Sequence, residues 1–257
     1  MLKRVLVVLG VLVGVVLLGV GALFVSMFAG KQDVAEGREL EGFVRVVKDD
    51  FTSVSVLDAG PGAVALIDAG ADVSGKALLA ELQRRGLGPE AVKAIFLTHG
   101  HSDHTAACHL FPKAEVVAFA PDVPLVEGKE SGHGPLTQWL PSKDVQARVT
   151  RRLQADETVQ VGTLSVRAFS VPGHTGGSAA YLVRGVLFLG DNADAKKDGT
   201  IVGAQWPFTD DRRQNRESLR GLPERLKSEP VKYLVFAHSG VLDGDAALRT
   251  FAAVSEK

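Results

Sequence analysis

The chain has 257 residues, 46% of them hydrophobic and 23% charged, with 29 Lys and Arg set against 30 Asp and Glu for a formal net charge of -1. That balance gives no basic footprint for nucleic acid, so no nucleic-acid partner is expected and a small-molecule substrate is. A single cysteine, Cys108, excludes an intramolecular disulfide.

Lys3 and Arg4 precede an uncharged run from Val5 to Gly30, nearly all Val, Leu, Gly, Ala and Phe. At ~1.5 Å per helical residue such a run can cross a hydrocarbon core of ~30 Å. It is longer than the roughly 7–15 apolar residues of a signal peptide, and Ser26-Met27-Phe28-Ala29-Gly30 is a poor cleavage site. Residues 1–30 are therefore expected to form an uncleaved transmembrane anchor, with secretion after signal cleavage as the alternative. The charges at Lys3 and Arg4 favour an inside N-terminus. The expected protein is single-pass, attached to the membrane by this helix, with its catalytic domain outside the cytoplasm.

Polar residues 31–42 read as a linker, and residues 43–257 as one domain. Residues 43–47, 52–57 and 63–67 are strand-like, with turns at Asp49-Asp50 and Gly60-Pro61-Gly62, and suggest an antiparallel meander. Asp72 or Ser74 can cap a helix bearing Ala77, Leu78, Leu79 and Leu82, ended by Gly86 and Gly88-Pro89. Residues 92–97 then form a buried strand running into Thr98-His99-Gly100-His101-Ser102-Asp103-His104, and Cys108 beyond it reads as a small core residue.

Residues 114–119 form another strand, and 121–146, rich in Pro, Gly and charge, a long surface excursion. Strands at 164–171 and 179–183 flank Pro172-Gly173-His174-Thr175-Gly176-Gly177-Ser178. A strand at 186–189 delivers Gly190-Asp191, residues 211–227 read as an amphipathic helix interrupted near 221–223, and a strand at 231–236 delivers Ala237-His238-Ser239-Gly240. Four times an apolar strand ends in a Gly-containing turn that carries His or Asp, and strand-end loops are where a rigid scaffold places its chemistry.

His99 and His101, two apart in a tight turn, can point to one ion, and Asp103 and His104 to a neighbouring one. Imidazole and carboxylate are the ligands zinc takes, at ~2.0–2.2 Å. Each ion needs about four ligands, so later strand ends must complete the set, and His174, Asp191 and His238 are the natural suppliers.

The string from Thr98 to His104 matches the H-x-H-x-D-H signature of the metallo-β-lactamase superfamily. Val64-Ala65-Leu66-Ile67-Asp68-Ala69-Gly70 resembles its upstream strand-and-turn motif. Pro172-Gly173-His174-Thr175, Gly190-Asp191 and Ala237-His238-Ser239-Gly240 resemble the motifs that follow, in order, so that the resemblance covers residues 43 to about 250. It implies an α+β fold, a four-layer αββα sandwich with metals at one edge between two sheets, here preceded by the N-terminal helix. By the same resemblance His99, His101 and His174 hold one metal, Asp103, His104 and His238 the other, and Asp191 bridges them. Two zinc ions per chain are expected, with iron or manganese as the other metals such a site accepts.

The implied activity is a zinc-dependent hydrolase in which a hydroxide bridging the metals attacks an ester, thioester, lactone or phosphodiester. Asp103 is the candidate catalytic residue, orienting the nucleophile and passing a proton to the leaving group. Asp68 supports the ligand loop from behind, or simply caps its own tight turn. True zinc β-lactamases generally lack an aspartate at the bridging position, so Asp191 turns the expectation toward thioesterase, lactonase, phosphodiesterase and nuclease branches. Glyoxalase II-like enzymes carry a further helical region where about fifteen residues follow Leu242 here. Phe119, Trp139, Trp206 and Phe208 are candidates for an apolar cleft wall, with His133 lining the cleft, although core or loop packing is open for each. Lys196 and Lys197 read as a solvated turn. Two other classes stay open: a mononuclear-iron oxidoreductase like the sulfur dioxygenases, and a non-catalytic membrane-tethered binding protein.

Overall fold

A computed structural model of the chain describes residues 2–139 and 147–254, and divides into two compact units, Met1–Lys31 and Gln32–Lys257. In the first unit, helix α1 (Leu2–Phe28) runs for 27 residues. The transmembrane span expected over residues 1–30 is not found: among the described residues no helix is long and apolar enough to cross a membrane.

In the second unit, strands β1 (Glu39–Leu40), β2 (Val44–Asp49), β3 (Thr52–Gly60), β4 (Ala63–Ile67), β5 (Val92–Phe96), β6 (Glu115–Phe119) and β7 (Arg151–Leu153) form one sheet in that spatial order. Strands β8 (Glu157–Val161), β9 (Leu164–Ser170), β10 (Ala179–Val183), β11 (Val186–Gly190), β14 (Tyr233–Phe236) and β15 (Val241–Asp243) form a second, ordered β15-β14-β11-β10-β9-β8. Two short strands, β12 (Ala193–Ala195) and β13 (Ile201–Gly203), pair as a hairpin.

Side-chain alternation assembles the layers. On β10, Ala179, Tyr181 and Val183 face the inter-sheet core with Phe96, Val117 and Phe119, while Ala180 and Leu182 face outward. That outer face packs on α5 (Arg212–Arg225) and α6 (Ala246–Ala253) through Leu219, Leu222 and Leu248. The outer face of the first sheet packs Val54, Leu66 and Ile95 on Leu78 and Leu82 of α2 (Lys76–Arg84). The result is the expected two-sheet sandwich. Strands buried on both faces are continuously apolar rather than alternating, as in Val186–Leu189 of β11.

Several expectations need correction. Residues 31–42 are built into the second unit from Gln32 onward: Gln32 N donates to Ala195 O at 3.0 Å, and β1 pairs with β2 because Leu40 belongs to the core. Helix α5 runs through Gly221 and Pro223 without a break, since burying Leu219, Leu222 and Leu226 outweighs the one hydrogen bond proline forgoes. Phe119 is 2% exposed and faces Val117's side of β6, so it is core and not cleft wall. Residues 140–146 of the expected surface excursion lie outside the described residues.

Two cross-sheet hydrogen bonds pin one edge of the sandwich. Ala179 N donates to Thr98 O at 2.8 Å, and Ser53 N to Ala237 O at 2.8 Å. Strands β4, β5 and β6 are mutually parallel, as are β11 and β14, so the turns after β4, β5, β11 and β14 open at their C-terminal ends.

Candidate metal centre

At this edge the turn after β5 presents His99 and His101, the turn before β10 presents His174, and the strand ends after β11 and β14 present Asp191 and His238. Helix α3 (Ser102–Thr105) brings Asp103 and His104, and the short helix α4 (Val123–Val126) follows the turn after β6. Three ring nitrogens meet at one point: His99 Nε2 is 2.9 Å from His101 Nδ1, and His174 Nε2 is 3.2 and 3.1 Å from those two. A second group forms around His238 Nε2, which lies 3.2 Å from Asp103 Oδ2 and 3.1 Å from Asp191 Oδ2. His104 Nε2 completes it, 3.7 Å from Asp103 Oδ2. Asp191 lies between the groups, with Oδ2 also 3.7 Å from His174 Nε2.

Each group, and a third made of His99, His104 and Asp191, has ligand atoms spaced to hold a metal ion. A direct observation supports the fit. His104 Nε2 and Asp191 Oδ1 are buried 3.3 Å apart, and neither makes a hydrogen bond. They face each other as an ion pair, and a cation between them would supply the bond that buried polar atoms otherwise lack at a cost of roughly 1–3 kcal/mol each.

Four of the five histidines have their other ring nitrogen held, whereas His101 Nε2 is buried without a hydrogen bond. His99 Nδ1 lies 3.2 Å from Thr98 Oγ1, His104 Nδ1 2.9 Å from Asp68 Oδ2, His174 Nδ1 3.2 Å from Thr209 Oγ1, and His238 Nδ1 3.0 Å from Phe51 O. Such outer partners fix ring orientation and tautomer. Asp68, expected behind the ligand loop, also accepts from Thr98 N at 2.7 Å and Thr98 Oγ1 at 2.8 Å.

Charge divides the centre in two. Burial holds the imidazoles of His99, His101 and His174 below the ordinary histidine value, His174 at about 3, so all three are neutral and ready to ligate. At His104 and His238 burial also opposes charge, but Asp191 leads the carboxylates that outweigh it, raising His238 to about 10 and His104 well above its usual value. For Asp103 and Asp191 burial favours the neutral acid, and the facing histidines reverse that, holding both well below the usual carboxylate range.

Of the expected cleft residues, Trp206 is 38% exposed and Trp139 is 79% exposed. The His133 side chain points outward, 75% exposed, while its backbone N donates to Asp210 Oδ1 at 2.8 Å. Leu136 N donates to Pro207 O at 2.8 Å, joining the segment of Trp139 to that of Trp206. A Cβ at Gly132 would stand 3.0 Å from His101 Nε2, so this paired wall abuts the centre. Phe51, 57% exposed, stacks on His238 at 5.7 Å between centroids. Cys108 is buried and His109 bonds Ala106 O, both away from the chemistry.

Sequence reasoning missed Phe51, Thr209, Asp210 and Asp122. Asp122 sits between two prolines and looks like an ordinary turn residue, whereas its carboxylate is buried beside the ligand turns.

The model of the metallo-β-lactamase superfamily matches residues 47–238 of the chain. Metallo-beta-lactamase domain-containing protein 1 of Xenopus laevis is 30% identical over 188 residues, 70% of each chain. A hydroxyacylglutathione hydrolase of Bartonella quintana is 31% identical over 149 residues, 57% of this chain and 49% of that protein. The chain thus spans about half the length of that relative. Among solved structures, a B3 metallo-β-lactamase with an active-site glutamic acid aligns with a TM-score of 0.63 at 20% identity, over 89% of this chain and 90% of that one. A metallo-β-lactamase family protein of Thermus thermophilus aligns with a TM-score of 0.59 at 24% identity, over 82% and 76%. At those identities the structural likeness speaks for the fold alone.

Proposed function

The chain belongs to the metallo-β-lactamase superfamily, and we propose that it is a two-metal, zinc-dependent hydrolase of an ester, thioester or lactone that carries an apolar group. Metal-dependent hydrolysis is supported by its family and by its hydroxyacylglutathione hydrolase relatives. The observation that carries the two-metal reading is the pair of ligand groups with Asp191 within 3.7 Å of His174 and 3.1 Å of His238 between them, and the outward nitrogens of His99, His104, His174 and His238 already bonded. His99, His101 and His174 would hold one zinc, Asp103, His104 and His238 the other, with Asp191 between them.

Two bound zinc ions would supply an acidified water as nucleophile and polarise the scissile carbonyl. The chain's own groups do the rest. Asp103, held as a carboxylate by His104 and His238, can orient the water and carry a proton toward the leaving group. Phe51, Leu136, Trp139 and Trp206, all exposed around the centre, offer an apolar rim for the part of the substrate that does not react. An apolar rim, with no cluster of cations beside it among the described residues, favours an uncharged acyl or lactone substrate over a phosphodiester.

Attachment to a membrane, with the catalytic domain outside the cytoplasm, is a proposal that rests on the composition of residues 5–30 alone, since no helix among the described residues is long and apolar enough to cross a membrane; fractionation of the full chain tests it. The enzymatic reading is tested by metal quantification on the purified chain, coupled to a panel of lactone, thioester, phosphodiester and β-lactam substrates. Two zinc per chain and hydrolysis that His101→Ala abolishes are expected. One iron per chain with oxygen uptake on a persulfide would replace this reading by a sulfur-dioxygenase one, and retained hydrolysis in His101→Ala would overturn the site.

A further inference from the structure

The histidines of the first metal group come from two turns far apart in sequence, and one side chain outside the centre joins those turns. Asp122 closes the 3-10 turn Ala120–Asp122 after β6 and is 2% exposed. Its Oδ2 accepts from Gly100 N at 2.8 Å and from Thr175 Oγ1 at 2.7 Å, and its Oδ1 from Gly177 N at 2.6 Å. Gly100 stands between His99 and His101, and Thr175 directly follows His174. Both glycines are needed for the close approach. A Cβ at Gly100 would sit 2.8 Å from Leu125 Cγ and 3.0 Å from Val126 N, and one at Gly177 only 2.6 Å from Asp122 N.

We propose that Asp122 is a positioning residue for the first metal group, clamping the two turns so that His99, His101 and His174 are spaced for one cation. The proposal rests on the two-metal reading above. A buried carboxylate with three donors is satisfied only when both turns are in place, so the clamp and the nitrogen triangle form together. Asp103, His104 and His238 take no bond from Asp122, so the second group does not depend on it.

Asp122→Asn keeps the shape but turns an NH2 toward donors that the carboxylate accepted. The test is a Co2+ titration of the chelator-stripped full chain, read by visible absorption, with His174→Gln marking the signal of the first site. Asp122→Asn is expected to weaken that site by ~10–100-fold and leave the other unchanged. Thr175→Val, which removes one of the three bonds, should weaken it less, and Thr175→Ser should restore it. A merely structural role would lower the melting temperature of the metal-free chain and leave both affinities intact, which overturns the proposal. If Asp122→Asn does not fold, the two Thr175 variants decide, and equal titrations overturn it. A wild-type chain that binds no cobalt overturns the hydrolase reading and this proposal together, whereas normal wild-type binding with unaffected variants overturns this proposal alone.

Discussion

Asp68 Oδ2 lies 2.9 Å from His104 Nδ1, with the carboxylate 3% and the imidazole 0% exposed. With no water to compete, the proton on Nδ1 is fixed, and Nε2 is the nitrogen turned toward Asp103 and Asp191. The other carboxylate oxygen is taken by Thr98 N, so neither oxygen is free to rotate away. Asp68 itself holds φ at +62°, a left-handed backbone uncommon for a residue with a side chain.

Asp68→Asn should therefore weaken the second metal group without dissolving the fold. One carboxamide atom becomes a donor and must face either Thr98 N–H or His104 Nδ1–H. A loss of ~10–100-fold in zinc affinity at one of two sites is expected, as for other outer partners of metal-bound histidine. A zinc competition titration against a chromophoric chelator checks it, and two unchanged affinities would contradict it.

The metal-free chain should be most stable near pH ~6.5. His99, His101 and His174 refuse in the fold a proton that the unfolded chain accepts below ~6.5, so their stability is lost as pH falls, toward about 3 for His174. His104 and His238 are raised, so their contribution is full below ~6.5 and lost as pH rises, toward about 10 for His238. Thermal unfolding of chelator-stripped protein from roughly pH 5 to 9 should show both limbs. His174→Gln should flatten the acid limb and His238→Gln the alkaline one.

The apolar rim should act on substrate binding rather than on chemistry. Trp139→Ala and Leu136→Ala remove groups 79% and 48% exposed, so folding stability should stay within ~0.5 kcal/mol of wild type. KM for substrates with an apolar substituent should rise ~10-fold, with kcat unchanged and short-chain analogues unaffected. A fall in kcat with unchanged KM would place these residues elsewhere in the cycle.

Much of this arrangement was legible in the sequence because it is local. His99, His101, Asp103 and His104 fall within one turn and the start of one helix, and the strands that deliver Asp191 and His238 are short continuous apolar runs that end abruptly in Gly-containing turns. What failed is what depends on distant partners. Glu39–Leu40 and Ala193–Ala195 are two- and three-residue strands whose pairing, not their propensity, makes them strands. Pro223 looks like a helix end until Leu219 and Leu222 are seen buried on the second sheet. Phe119 and Trp206 are both aromatic, and only the side of the strand each occupies, or its lack of one, separates core from rim.

Gly173 and Gly221 make the sharpest contrast in the second unit. Gly173 precedes His174 with φ at +133°, and a Cβ there would stand 2.1 Å from Asn215 N in α5. Its carbonyl accepts from Asp211 N at 2.8 Å, and the His174 carbonyl from Asp210 N at 3.0 Å, so the turn and the start of α5 are one assembly. Gly173→Ala must move backbone on one side or the other. A loss above ~2 kcal/mol is expected, several degrees of melting temperature in a unit of this size, together with weakened binding at the His174 site. Gly221, within α5, has nothing within 4 Å of its would-be Cβ. Gly221→Ala should stabilise by ~0.5–1 kcal/mol through helix propensity and leave metal binding alone. Melting curves of the two variants side by side check both signs, and a harmless Gly173→Ala would mean that the His174 turn is not tied to the helix as described.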